Sequence, residues 1–128
     1  MAKSISNNVL DAGLNYVANN GDKIIVCSQE PSTYSQASAT YLLAEVDVTT
    51  GAGNGDYTIA DATAGGRELV IAGQADVAVS ATGTATHIAI VDSVGQELIL
   101  VTTCDNQGVT NGGTIDMPQF AERFADPV

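Results

Sequence analysis

With 128 residues and a net charge of −11, from fifteen acidic and four basic residues, the chain has room for one core and lacks the cations that nucleic-acid binding requires. The basic residues are only Lys3, Lys23, Arg67 and Arg123, so direct nucleic-acid binding is excluded and an anionic membrane surface is disfavoured. An apolar fraction of 45% with no Trp, two Phe and four Tyr means a core of Ala, Val, Ile and Leu, which suits thin sheets better than an aromatic-lined cofactor pocket.

The N-terminus has no apolar run of the signal-peptide kind, so the expected place of synthesis is a cytoplasm. The chain then opens on its one helical pattern, predicted over residues 5–19. Ser6 or Asn7 can act as N-cap, and Val9, Leu10, Leu14 and Val17 fall on one face. Asp11 lies near the positive end of the helix dipole. Gly13 interrupts the pattern at a cost of about 1 kcal/mol relative to Ala. Asn19-Asn20-Gly21 predicts a left-handed stop.

From residue 22 to 117 the period changes to two. Strands are predicted over 23–28, 41–48, 67–72, 76–80, 84–92 and 97–103, with short ones around Val109 and Ile115. Ala81-Thr82-Gly83 reads as the turn of a hairpin joining 76–80 to 84–92, and Ser93–Gln96, Asp105–Gly108 and Asn111–Gly113 as further turns. Strands at about ten-residue intervals predict an antiparallel β-sandwich or barrel, jelly-roll-like, after one N-terminal helix. Two segments escape this scheme. Residues 49–66, rich in Gly, read as a flexible loop that orders against a partner. In the tail, 118–128, Phe120 and Phe124 would share one helical face at spacing four.

Candidate chemistry is sparse. Gly51-Ala-Gly-Asn-Gly55 lacks the following helix of a dinucleotide fingerprint and the Lys-Ser/Thr of a phosphate loop, so no cofactor is expected. His87, the single histidine, could join a triad only with a nucleophile such as Cys104 and an acid such as Asp92, and no nucleophile motif surrounds Cys104. A structural role is expected for it. Cys27 and Cys104 read first as small buried hydrophobes and second as one long-range bridge. Asp56, Asp61, Asp105 and Asn106 offer oxygen ligands without a calcium-loop spacing, so no metal is expected. No residue takes a catalytic role.

The segments Asn7–Tyr16, Cys27-Ser-Gln-Glu-Pro31 and Ala81–Asp92 resemble a group of small virion proteins of tailed bacteriophages. The resemblance covers most of the chain apart from 49–66 and 119–128. It implies a non-enzymatic structural component: a capsid cement or decoration protein first, then a head–tail or tail accessory protein that binds a receptor or glycan. The implied partners are the major capsid protein and further copies of the chain in a homo-oligomer, and the implied location is the virion. On this reading Gly51, Gly53, Gly55, Tyr57, Phe120 and Phe124 are candidate docking elements, ordered on assembly.

Overall fold

The computed structural model describes residues 6–63 and 65–124; Ile5 and the end of the tail, 125–128, lie outside the described residues. The fold is mainly β and sandwich-like, its sheets antiparallel, with one N-terminal helix, as expected.

The helix α1 spans Asn7–Asn20, and Ser6 caps it by accepting the Asn8 N–H at 3.2 Å. Its buried stripe is Leu10, Leu14 and Ala18, at steps of four. Val9, expected on that face, is instead 58% exposed. The stop at Gly21 is not left-handed, since its φ is −75°. Glycine is needed there for space. A Cβ would lie 2.5 Å from Ile90 Cγ2, 2.7 Å from the Tyr57 hydroxyl and 2.8 Å from the Val17 carbonyl oxygen.

A four-stranded sheet forms one layer. Its strands are β1 (Lys23–Cys27), β2 (Leu42–Asp47), β6 (Gly83–Asp92) and β7 (Glu97–Val109), in the order β2-β1-β6-β7. The near-continuous apolar run of β1 follows from burial on both faces. Ile24 and Val26 join the main core, whereas Ile25 and Cys27 join a second cluster with Ala37, Ala89 and Val91. The segment between β1 and β2, including a π-helical turn at Gln36–Thr40, covers this outer cluster through Ala37, Tyr34 and Tyr41.

The other layer is a bent two-stranded ribbon with one added strand. The strand β4 (Arg67–Ile71) pairs with β9 (Phe120–Phe124), and β5 (Gln74–Ala78) pairs with β8 (Thr114–Met117). The two ladders share one register, from Arg67 opposite Phe124 to Gln74 opposite Met117. They are therefore one ribbon, bent where Gly73 meets Pro118. A Cβ at Gly73 would lie 3.0 Å from the Met117 carbonyl oxygen and 3.2 Å from the Gln119 nitrogen. Beyond the bend a bulge slips the register, with Asp76 at φ +54° and its N–H bonded to an Asp116 carboxylate oxygen at 2.8 Å. The strand β3 (Tyr57–Asp61) flanks β4 on the side away from β9.

Three sequence expectations are corrected here. Residues 76–80 and 84–92 do not form a hairpin. Val79 bridges to Ala44 of β2, and the N–H groups of Ser80 and Ala81 donate to the Leu43 carbonyl at 2.8 and 3.3 Å, so the chain turns toward β2 before it reaches β6. Residues 57–61 of the supposed loop are the strand β3, paired residue for residue with β4. Phe120 and Phe124 do share a face, but of a strand, because spacing four satisfies period two as well.

The helix lies over β3 and β4, held by Arg67, whose guanidinium donates to both Asp11 oxygens at 2.8 and 3.2 Å and to Asp61 at 2.9 Å. Gly13 also has a purpose in this packing. A Cβ there would overlap the Phe124 ring. Gly13→Ala is therefore expected to stabilise a Phe124→Ala background by about 1 kcal/mol, the usual helix-propensity gain, and to lose or reverse that gain in the parent chain. Urea melts of the four proteins measure the difference.

Asp22, between α1 and β1, links three elements. Its N–H donates to the Val91 carbonyl at 3.1 Å, its carbonyl accepts the Val48 N–H at 3.0 Å, and its carboxylate accepts the Ser93 N–H at 2.8 Å and the Ser93 hydroxyl. Partial burial pushes the carboxyl pKa up, but the Ser93 donors, its own N–H and Lys23 together hold it below the ordinary value. A depressed carboxyl stabilises the fold above its unfolded pKa of about 4, and that contribution disappears as pH falls through the folded value. The stability difference between the parent and Asp22→Asn should accordingly be largest at neutral pH and shrink below about pH 4, as read by urea melts across pH.

Candidate functional site

The two layers leave one edge open. Through the Ala44–Val79 bridge the strands run in spatial order β7-β6-β1-β2-β5-β8, wrapped around the main core. The ends of this series, β7 and β8, are consecutive in sequence and joined by only Thr110–Gly113, yet no ladder connects them among the described residues. The turn explains why. Gly112 N–H donates to the Val79 carbonyl at 3.0 Å, and Val79 N–H donates to the Gly113 carbonyl at 2.9 Å. The connection is therefore fastened to β5, and the two strands diverge from it.

Two further features keep the strands apart. Opposite β6, the strand β7 carries extra residues, since Ala85 faces Gln107 and His87 faces Thr103. The supposed turn at Asp105–Gly108 is this bulge inside a long strand. At the corner between β8 and β9, Pro118 has no N–H with which to extend a ladder.

Between β7 and the β8–β9 corner lies a cleft of about 410 Å³, within the range of natural ligand clefts. Its floor is core: Val26, Ala85, Ile88, Ile115 and Met117, with Phe120 at one end. Ala85 and Ile88 both reach this floor although simple alternation would send them to opposite faces, and the bulge lies between them. Along the rim stand Thr103, Asp105 and Gln107 on β7 and Asp116 on β8. Among the described residues, only acidic and neutral side chains line it.

Cys104 also lines the cleft, and Cys27 lies buried beneath the π-helical turn, its thiol 3.9 Å from the Ala37 carbonyl oxygen. Both are free thiols. Burial, with the nearby Cys104, pushes the Cys27 pKa up to about 11, and partial burial with Asp105 raises that of Cys104. Iodoacetamide at neutral pH is expected to modify Cys104 slowly and to leave Cys27 intact until the protein is unfolded, as peptide mass mapping would record.

The sequence-predicted docking residues are dispersed. Gly51, Gly53 and Gly55 have φ of +93°, +86° and +116°, which accounts for glycine at each. Their loop is fastened to the molecule: Gly51 N–H donates to the Ala18 carbonyl at 2.8 Å, Gly53 N–H to the Tyr57 carbonyl at 2.8 Å, and Thr49 N–H to Asp56 at 2.7 Å. Tyr57 is no surface element. It is fully buried, and its hydroxyl donates to the Gly21 carbonyl at 2.6 Å. Phe120 is half-buried against the core, and Phe124 rests on the helix. Of the six, only Phe120 belongs to the cleft.

The remaining candidates have local duties. His87 shares a hydrogen bond with the Thr86 hydroxyl at 2.8 Å, and Asp92 accepts the Val94 and Gly95 N–H groups, each at 3.0 Å, to close the β6–β7 turn. Asp56 clamps its loop and Asp61 pairs with Arg67. Among the described residues, no group of three or more His, Cys, Asp or Glu could hold a metal ion, and no helix is long and apolar enough to cross a membrane. Sequence reading missed the cleft because its signal, a four-residue connection between two apolar strands, ordinarily marks a closed hairpin. No protein-family model, no curated protein and no solved structure matches the chain.

Proposed function

We propose that this chain is a non-enzymatic structural protein of a tailed-phage virion, a cement or decoration protein that binds the major capsid protein and further copies of itself on the outer shell. The observation that carries the reading is that two of its four cations, Lys23 and Arg67, are engaged by its own carboxylates. Lys23 lies 3.7 Å from Glu45 and 3.3 Å from Asp47, and Arg67 is held by Asp11 and Asp61. The exposed carboxylates include Glu30, Asp76, Glu97, Asp105 and Asp116, none of them in an ion pair with Lys23 or Arg67. Such a surface repels packaged DNA and complements a basic protein patch, which favours the outside of a shell over its inner wall. The resemblance of Asn7–Tyr16, Cys27–Pro31 and Ala81–Asp92 to small phage virion proteins supports the same assignment.

The test is the copy number in purified particles, by quantitative mass spectrometry against the major capsid protein. Hundreds of copies are expected, because an icosahedral shell repeats each site many times. A dozen or so would instead support the head–tail or tail accessory reading. Absence from particles overturns the virion assignment.

A further inference from the structure

We propose that the open edge between β7 and β8 is a strand-addition site, which takes an extended segment of a partner protein bearing alternate apolar residues and flanking Lys or Arg. Three observations converge on this occupant. The cleft is bounded by two strands with no ladder between them among the described residues, so it offers main-chain donors and acceptors on both sides, the requirement for β-augmentation. Its floor is the apolar core itself, at Val26, Ile88, Ile115 and Met117. Every second side chain of an inserted strand would point at that floor. The rim carries Asp105 and Asp116 with no basic residue, so a segment with cations at its ends is preferred over an acidic one. A segment of a second copy is a poor occupant of this cleft on the same ground, since only four of the chain's 128 residues are Lys or Arg.

The cleft is held open by construction. The β7–β8 turn is bonded to Val79, the bulge bows β7, and Pro118 cannot donate. Closure of the edge by the chain's own strands would require these features to be undone. The inference stands apart from the virion reading, because absence from particles leaves it untouched and its own failure would not alter a copy number.

The experiment is selection of a random seven-residue peptide display library on the full-length protein, followed by affinity measurement with the synthetic winners. Enrichment of peptides that alternate apolar and polar residues and carry Lys or Arg is expected. Bound peptide should slow amide exchange in residues 102–107 and 114–117. The native thiol supplies the control: alkylation of Cys104 with N-ethylmaleimide fills the cleft and should weaken binding about tenfold or more, equivalent to about 1.4 kcal/mol. Asp105→Lys, an exposed position whose replacement spares the core, should weaken Lys-flanked peptides about threefold and favour Glu-flanked ones. No enrichment over bare support, enrichment of acidic or helix-patterned peptides, or binding indifferent to the Cys104 block would each overturn the proposal.

Discussion

Tyr57→Ala is expected to cost about 3–5 kcal/mol, the range for removal of a large aromatic side chain from a core. Tyr57 is the largest fully buried side chain, and it stands where three parts of the molecule meet. Its hydroxyl holds the Gly21 carbonyl at the end of α1, its own carbonyl accepts Gly53 N–H from the glycine loop, and its backbone pairs with Ile71 of β4. Burial, followed by the charges of Asp56 and Asp22, raises the phenol pKa far above its ordinary value, so the hydroxyl remains a donor across the whole working pH range. Tyr57→Phe separates the ring from the bond. It should cost about 1–3 kcal/mol, because the Gly21 carbonyl would lose a buried partner while the packing is kept. Urea melts decide the matter. A Tyr57→Ala protein within about 1 kcal/mol of the parent would show that the loop and helix end are not organised around this residue.

The contrast between what the residues disclosed and what they concealed is instructive at Tyr57 itself. The surrounding Gly-rich stretch has the composition of a flexible linker, and by composition Tyr57 looked like an exposed side chain awaiting a partner. Three glycines with positive φ instead let the loop fold back on α1, and the following five residues form a strand. Local composition could not show this, since the strand is stabilised by β4, and pairing is a tertiary fact. Where the signal was local, reading succeeded: Ser6 caps α1, Ser93–Gln96 turns β6 into β7, and the run predicted as a strand over 23–28 is β1. The cleft belongs to the first kind. Asn111-Gly-Gly113 is a turn, as its residues indicate, but its hydrogen bonds run to Val79, over thirty residues earlier in the chain. A hairpin signal thus produced a turn whose arms part. Gly13 shows the reverse case, a residue that looks like a defect in a helix until the Phe124 ring is placed above it.

Termination of the chain after Pro118 is the second large effect, and it bears directly on the view of the tail as a docking arm. If residues beyond 118 were ordered only by a partner, their loss would leave the isolated protein as stable as before. The structure predicts otherwise, because Phe120–Phe124 is β9 and pairs with the whole length of β4. Its removal strips a neighbour from the strand that carries the fully buried Leu69 and Ile71, withdraws Phe120 from the core and uncovers Gly13. Burial of one Phe alone contributes about 1.5–3 kcal/mol, and the lost ladder adds an exposed edge next to the core. The expected loss is therefore at least about 3 kcal/mol, a large share of the roughly 5–15 kcal/mol by which domains are stable. Circular dichroism during a urea titration should show a midpoint moved far down or a transition no longer cooperative. Restoration of residues 119–124 alone should recover most of the loss, since these complete β9. An unchanged midpoint in the chain ending at Pro118 would show that β9 contributes nothing to the free protein, and would return Phe120 and Phe124 to the role of docking elements.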